Sequence, residues 1–134
     1  RGISISERER RKRWMEWKFD SKQPIYTQLV DQMTVRIVTG VYAPGSKLGS
    51  VRDLAQEAGV NPNTMQRALA AIEDSGLVHS QRTAGRFITE DMNLIQLARR
   101  RLANEKIGIF AEQMKQLGFS KEEILNLLEE YRYE

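Results

Sequence analysis

Several polar side chains that can form hydrogen bonds with base edges lie close together in residues 61 to 67. They are Asn61, Asn63, Thr64, Gln66 and Arg67. The amides of Asn and Gln can form two hydrogen bonds with adenine, and the Arg guanidinium can do the same with guanine. A Thr can contact a thymine methyl group or a phosphate. As a cluster at the start of one amphipathic helix, these groups favour nucleic-acid contact over a merely solvated surface.

The helix that must position these side chains begins at Asn61-Pro62. Asn is a strong N-cap residue, and Pro fits the first helical position. Apolar residues recur at helical spacing and predict a stripe that faces inward. The stripe consists of Met65, Ala68, Leu69 and Ile72. The remaining polar residues therefore fall on or near the outer face.

A shorter helix comes directly before this one. Ser50 and Asp53 form an S-x-x-D capping pattern, which predicts a helix start near Val51. Gly59 is expected to end that helix. Two short helices joined by a tight turn containing Gly form a helix-turn-helix pattern, in which the first residues of the second helix meet base edges.

The elements on either side complete a small domain. Apolar residues at four-residue spacing predict a core-facing helix that opens at Pro24 and ends at Gly40. On the other side, Leu77-Val78 and Phe87-Ile88 are strand-like, and a turn falls at residues 83 to 85. We expect a hairpin, or wing, whose flanking Arg82 and Arg86 can reach phosphate or the minor groove.

Residues 90 to 134 predict a long helix and a shorter one, separated at Gly118. Their apolar surface is too large for a two-helix hairpin to cover alone, so we expect a homodimer built from this region. The expected interface residues are Leu94, Leu97, Ala98, Leu102, Phe110, Met114, Leu125 and Leu128. Arg99 to Arg101 form either a solvated face or a phosphate contact, and Gly108 marks either a kink or a close helix crossing.

Composition excludes several classes of site. Cysteine is absent, so disulfides and thiolate metal sites are impossible, and His79 is a single histidine that we expect to face solvent or to be satisfied locally. No nucleophile elbow, HExxH motif or phosphate-binding loop occurs, so we expect neither an enzyme nor a metal or other cofactor. No apolar run is long enough for a membrane span, and we expect a cytoplasmic protein.

The net charge of +3 comes mainly from residues 1 to 18, which carry +4, while residues 19 to 88 carry +1 and residues 89 to 134 carry −2. The basic segment within residues 1 to 20 has three interpretations. It is a mobile arm that meets phosphates, a helix packed through Trp14 and Trp17, or vector-derived or upstream-translated sequence. Overall basicity is therefore a poor indicator of DNA binding by the folded part.

Residues 24 to 88 resemble the GntR family of bacterial transcription regulators. The resemblance is carried by Pro24-Ile25-Tyr26 with Gln28, Pro44-Gly45, Leu48 with Ser50 and Arg52, Gly59-Val60, Thr64, Ala68-Leu69 and Gly76-Leu77. The short C-terminal region looks most like that of the YtrA-type subfamily. The resemblance implies a winged helix-turn-helix that binds a palindromic operator as a dimer, usually as a repressor.

The resemblance also implies contact positions for double-stranded DNA. These are Ser50, Arg52, Asn61, Asn63, Thr64, Gln66, Arg82, Thr83 and Gly85, with Arg67 adjacent. Three departures from the common family pattern occur: Gly49 stands where many members have Pro, Asn61-Pro62 replaces Ser-Arg, and Thr83 replaces the first wing Gly. Because the second of these removes a base-reading Arg, an altered target sequence is expected.

We thus expect a mainly α protein. It comprises a basic extension (1–20), a winged helix-turn-helix domain with a small β-hairpin wing (21–89) and a helical dimerisation region (90–134). The expected function is sequence-specific transcriptional regulation by a homodimeric repressor. A winged helix that binds proteins without specific DNA binding is the alternative. The sequence identifies no small-molecule effector.

Overall fold

A computed structural model describes residues 15–133, and the predicted Trp14 contact lies outside that range. We number the elements within it in chain order. The helices are α1 (Ile25–Val38), α2 (Val51–Ala58), α3 (Pro62–Asp74), α4 (Met92–Gln116) and α5 (Lys121–Glu130), and the strands are β1 (Val78–Gln81) and β2 (Gly85–Ile88). The expectation of a mainly helical winged helix-turn-helix with a two-stranded wing is confirmed.

Local capping sets the helix ends where the sequence predicts them. The Ser50 hydroxyl accepts a hydrogen bond from the Asp53 amide, and Gly59 takes the left-handed conformation (φ 71°) that closes α2. Ser120 and Glu123 form a reciprocal capping box at the start of α5. The Glu123 carboxylate accepts a bond from the Ser120 amide, which lowers its pKa because the charged form is the better acceptor.

The apolar core joins the helix-turn-helix to α1 and the wing. Leu29, Met33, Met65 and Leu69 have no exposed surface, which confirms the inward stripes of α1 and α3. Helix α3 packs against both α1 and α2, and Val78 and Ile88 of the wing join the same core. Helix α3 is therefore held in place by its buried inner face, while its outer face remains exposed.

The first helical turns of α4 belong to this unit. The chain divides into one compact unit that ends at Ala98 and another formed by residues 99–133. Ile95 and Ala98 are buried in the first core, and Leu94 packs against it. This differs from the predicted boundary after residue 89, because the apolar residues at the start of α4 cover the winged domain's own core.

The second unit contains the rest of α4 and all of α5. None of residues 99–133 is buried. Leu102, Met114 and Ile124 are half-buried, whereas Leu117 is 71% exposed and Leu125 and Leu128 are each 52% exposed. Gly108 lies within an uninterrupted helix. This unit therefore presents apolar side chains without a core of its own.

Candidate nucleic-acid interface

The start of α3 presents the predicted base-contacting residues at the surface. Asn61 is the N-cap, and its side-chain oxygen accepts a 2.8 Å hydrogen bond from the Asn63 amide. Asn63 and Gln66 are exposed, whereas Thr64 is half-buried. Capping occupies one lone pair of the Asn61 oxygen and fixes its direction, which restricts the two-bond pattern that recognises adenine. Asn63 and Gln66 have no such restriction from capping.

Arg67 lies on the same exposed surface but is held by another helix. Its guanidinium carbon lies 4.2 Å from the ring centroid of Tyr26, in the first turn of α1. This is a cation–π contact, which orients the flat guanidinium and is worth about 0.5–1 kcal/mol at exposed sites. The sequence identified Arg67 but gave no sign that Tyr26 would support it.

The start of α2 presents a second cation. Arg52 is exposed in the first turn of α2, two residues after the Ser50 cap. The Ser50 oxygen accepts the Asp53 amide at 3.1 Å, so its hydroxyl proton remains a donor. Ser50 and Arg52 are thus both exposed at the start of α2.

An ion pair connects the wing to α3. Its strands pair in antiparallel register, with Val78 opposite Ile88 and Gln81 opposite Gly85. Arg86 lies 3.5 Å from Glu73 of α3. The pair engages Arg86, while Arg82 and Thr83 stay exposed in the turn.

A further strand-like segment, which sequence reasoning missed, flanks the wing. The Leu48 amide donates to the Arg86 carbonyl (2.9 Å), and the Ile88 amide donates to the Ser46 carbonyl (2.8 Å). Lys47 forms a bridge with Phe87. The loop that enters α2 and the wing turn therefore line one open groove of about 640 Å³, which brings Ser50 together with Thr83 and Gly85.

Residues 15 to 20 are fastened along α1 by two glutamines. The Gln32 side chain accepts from the Lys18 amide at 3.2 Å and donates to the Lys18 carbonyl, and Gln28 makes the same pair of bonds with Asp20. Each carboxamide thereby bonds both the amide and the carbonyl of one residue, as a neighbouring strand would. The segment is fixed to the winged unit, which gives the family-like Gln28 a structural role.

A partly buried polar cluster lies beside this segment. The Arg36 guanidinium stacks 3.7 Å from the Trp17 ring centroid, and the Trp17 indole donates to Glu57 at 3.3 Å. Burial lowers the pKa of Arg36. Burial, together with the negative charge of Glu57, raises the pKa of Tyr42 to about 12, although Arg36 opposes the change. Within residues 15–133 the buried Tyr42 hydroxyl has no hydrogen-bond partner.

The described residues contain neither a cluster of metal-ligating side chains nor a helix that could span a membrane. Over residues 15–133, no group of three or more His, Cys, Asp or Glu side chains is arranged to hold a metal ion. In the same range, no helix is both long and apolar enough to cross a membrane. His79 is exposed and stacks on Phe87 with ring centroids 6.2 Å apart, a local aromatic contact.

Comparison with known proteins identifies the family. Residues 25–88 match the family described as bacterial regulatory proteins, gntR family. The HTH-type transcriptional regulator YhcF of Bacillus subtilis is 41% identical over 111 residues, which cover 83% of this chain and 92% of YhcF. The chain belongs to the GntR family.

Other members of the GntR family agree in sequence and in structure. The HTH-type transcriptional repressor YtrA of B. subtilis is 37% identical over 97 residues, covering 72% of this chain and 70% of YtrA. A GntR-family regulator from Listeria monocytogenes superposes with a TM-score of 0.79 at 38% identity, covering 85% of this chain and 100% of that one. This GntR chain is therefore a transcriptional regulator with a DNA-binding domain. Its relatives are regulators, as expected for a protein that is not an enzyme.

Proposed function

We propose that the protein is a homodimeric repressor that binds a two-fold symmetric DNA operator in the cytoplasm. The observation that carries the proposal is the exposed start of α3, where Asn63 and Gln66 project from a helix whose opposite side is fully buried. Such side chains supply base contacts in a helix-turn-helix, while cations on the neighbouring elements contact phosphates and set the register.

Three cations suit the phosphate contacts. Arg52 at the start of α2 and Arg82 in the wing turn are exposed, and Arg67 is oriented by Tyr26. Ser50, Thr83 and Gly85 line the groove between the loop that enters α2 and the wing turn, where they offer a hydroxyl or a close backbone approach. We assign most of the binding affinity to the three cations and base discrimination mainly to Asn63 and Gln66, because capping fixes the direction of the Asn61 oxygen.

Dimerisation through residues 99–133 follows from their exposed apolar surface. A two-helix unit without a buried residue gains little from folding alone, whereas a second copy can cover Leu125, Leu128 and Phe110. Leu97, Leu102 and Met114 remain in the proposed interface. Ala98 and Leu94 do not, because the first is buried in its own unit and the second packs on that core.

Repression is the mode of regulation given in the name of YtrA. A dimer that sets two recognition helices about 34 Å apart would span one turn of DNA and block a promoter by occupancy. The competing function is a winged helix that binds other proteins. That function would not require the polar start of α3 to discriminate between base sequences.

The test is selection of bound sequences from a random DNA pool at near-physiological salt, followed by sedimentation analysis of the protein alone. We expect an enriched motif with two-fold symmetry and a particle of twice the chain mass. Repression is then tested with a reporter promoter that contains the enriched motif. DNA binding without any enriched motif would reject specific recognition, and no DNA binding would favour the protein-binding alternative.

A further inference from the structure

Lys47 is an exposed cation outside the helix-turn-helix and outside the wing hairpin. Its backbone bridges Phe87, and the hydrogen bonds on either side place residues 46 to 48 along the free edge of β2. Residues opposite each other in antiparallel strands point to the same face. Lys47 therefore shares the outer face with Phe87, and this face is opposite to the one on which Val78 and Ile88 are buried.

The Lys47 side chain extends along this face toward the wing turn. A Cβ atom built on Gly85 would lie 3.1 Å from the Lys47 Cε and 3.8 Å from its Nζ. The ammonium group is thus positioned over a residue that has no side chain. Gly85 also has φ +105°, a backbone conformation that favours glycine there.

The charges around Lys47 favour an anion. The groove beneath it is lined by two cations, Lys47 and Arg86, and by no carboxylate. Arg86 is engaged with Glu73, and no carboxylate within residues 15–133 forms a salt bridge with Lys47. The carboxylate of Glu90 lies instead beside Gly45, at the other end of the same segment.

We propose that Lys47 contacts a DNA phosphate at the groove that the loop entering α2 shares with the wing turn. The proposal rests on the DNA-binding function proposed above and adds a contact from the loop that enters α2. Exposed lysines on strand edges also prevent unwanted strand pairing. That protective role predicts aggregation on removal of the charge and no specific change in DNA affinity.

The experiment measures the salt dependence of DNA affinity for Lys47→Gln, Lys47→Arg and the unmodified chain. The probes are a random-sequence duplex of about 30 base pairs and a duplex of the same length that contains the motif enriched by selection. Lys18→Gln is the matched control, because Lys18 is an exposed lysine of the same unit and its backbone is fixed by Gln32.

We expect Lys47→Gln to reduce the magnitude of the slope of log affinity against log salt by about 0.9, the value for one phosphate contact, on both probes. The affinity difference from the unmodified chain then shrinks about 3.5-fold between 50 and 200 mM salt. Lys47→Arg should keep the slope, and Lys18→Gln should leave it unchanged. Thermal unfolding of each variant checks that the fold persists.

An unchanged slope in Lys47→Gln, with or without aggregation, would overturn the phosphate contact while DNA binding itself stands. An equal loss in Lys18→Gln would also overturn it, because the effect would then be one of net charge. Absence of salt-dependent DNA binding in the unmodified chain would overturn both this inference and the proposed function.

Discussion

The guanidinium carbon of Arg67, on α3, lies 4.2 Å from the ring centroid of Tyr26, in the first turn of α1. The contact joins the exposed surface of α3 to a helix outside the helix-turn-helix. It restricts a long side chain whose ordering on binding would otherwise cost conformational entropy. Under the proposed function, Tyr26 is therefore a positioning residue for Arg67.

Loss of the Tyr26 ring should weaken operator binding without unfolding the protein. We expect Tyr26→Leu to cost up to about 0.5–1 kcal/mol of binding free energy, because Arg67 loses a contact of about that worth and must then be ordered on binding. Tyr26→Phe retains the aromatic face and should bind nearly as the unmodified chain does. Fluorescence anisotropy with the selected duplex measures both, and equal losses in the two variants would assign the effect to the hydroxyl instead.

Arg52→Ala should weaken binding to selected and random DNA alike. Arg52 is exposed at the start of α2, so its removal should change stability by no more than about 0.5 kcal/mol. Anisotropy at fixed salt and thermal unfolding separate the two effects. Unaltered DNA affinity would mean that the start of α2 does not face the duplex.

Gln66→Ala tests base recognition. The carboxamide is exposed on α3, and loss of a two-bond base contact should cost about 1–3 kcal/mol on the selected operator. On random DNA the loss should be small, because phosphate contacts dominate there. Competition titrations of one labelled duplex against the other give the ratio directly. A similar loss on both duplexes would mean that Gln66 contacts the sugar-phosphate backbone of the DNA and not the bases.

Leu128→Asp should dissociate the proposed dimer. Leu128 is 52% exposed on α5, and a carboxylate in an apolar interface must lose its hydration. We expect the dimer dissociation constant to rise at least about tenfold, or about 1.4 kcal/mol. Sedimentation equilibrium measures this. Asn126→Asp, which places the same charge on another exposed position of α5, is the control and should remain dimeric.

Tyr42→Phe tests the buried hydroxyl. At neutral pH the variant should be as stable as the parent or more stable by up to about 2 kcal/mol, because an unpartnered buried polar group is removed. In the parent, folding raises the Tyr42 pKa to about 12 from its ordinary 10. The stabilising contribution of the neutral phenol is complete below pH 10 and is lost as pH rises through 12.

Urea unfolding of both proteins between pH 8 and pH 12 measures this difference. The parent should lose more stability than Tyr42→Phe above pH 10. Absorbance titration of the ionised phenols should show that the variant lacks the latest step. Parallel loss of stability in the two proteins would mean that Tyr42 ionises as readily in the folded state as in the unfolded one.

The helix-turn-helix and most helix ends could be predicted from local sequence alone. The Ser50, Asn61 and Ser120 caps each act on backbone groups two or three residues away, so their partners are present in the local sequence. The apolar stripes of α1 and α3 likewise follow from helical period. These signals, together with the family resemblance, also located the exposed candidates Arg52, Asn63 and Gln66.

The contacts between residues far apart in the chain could not be predicted and depend on the tertiary structure. The path of Lys47 over Gly85, the support of Arg67 by Tyr26 and the burial of Ala98 all depend on segments that are far apart in the chain. No local pattern encodes such contacts, because they arise only when whole elements pack. The same reason accounts for the boundary after Ala98, since the first turns of α4 cover apolar surface that belongs to another part of the sequence.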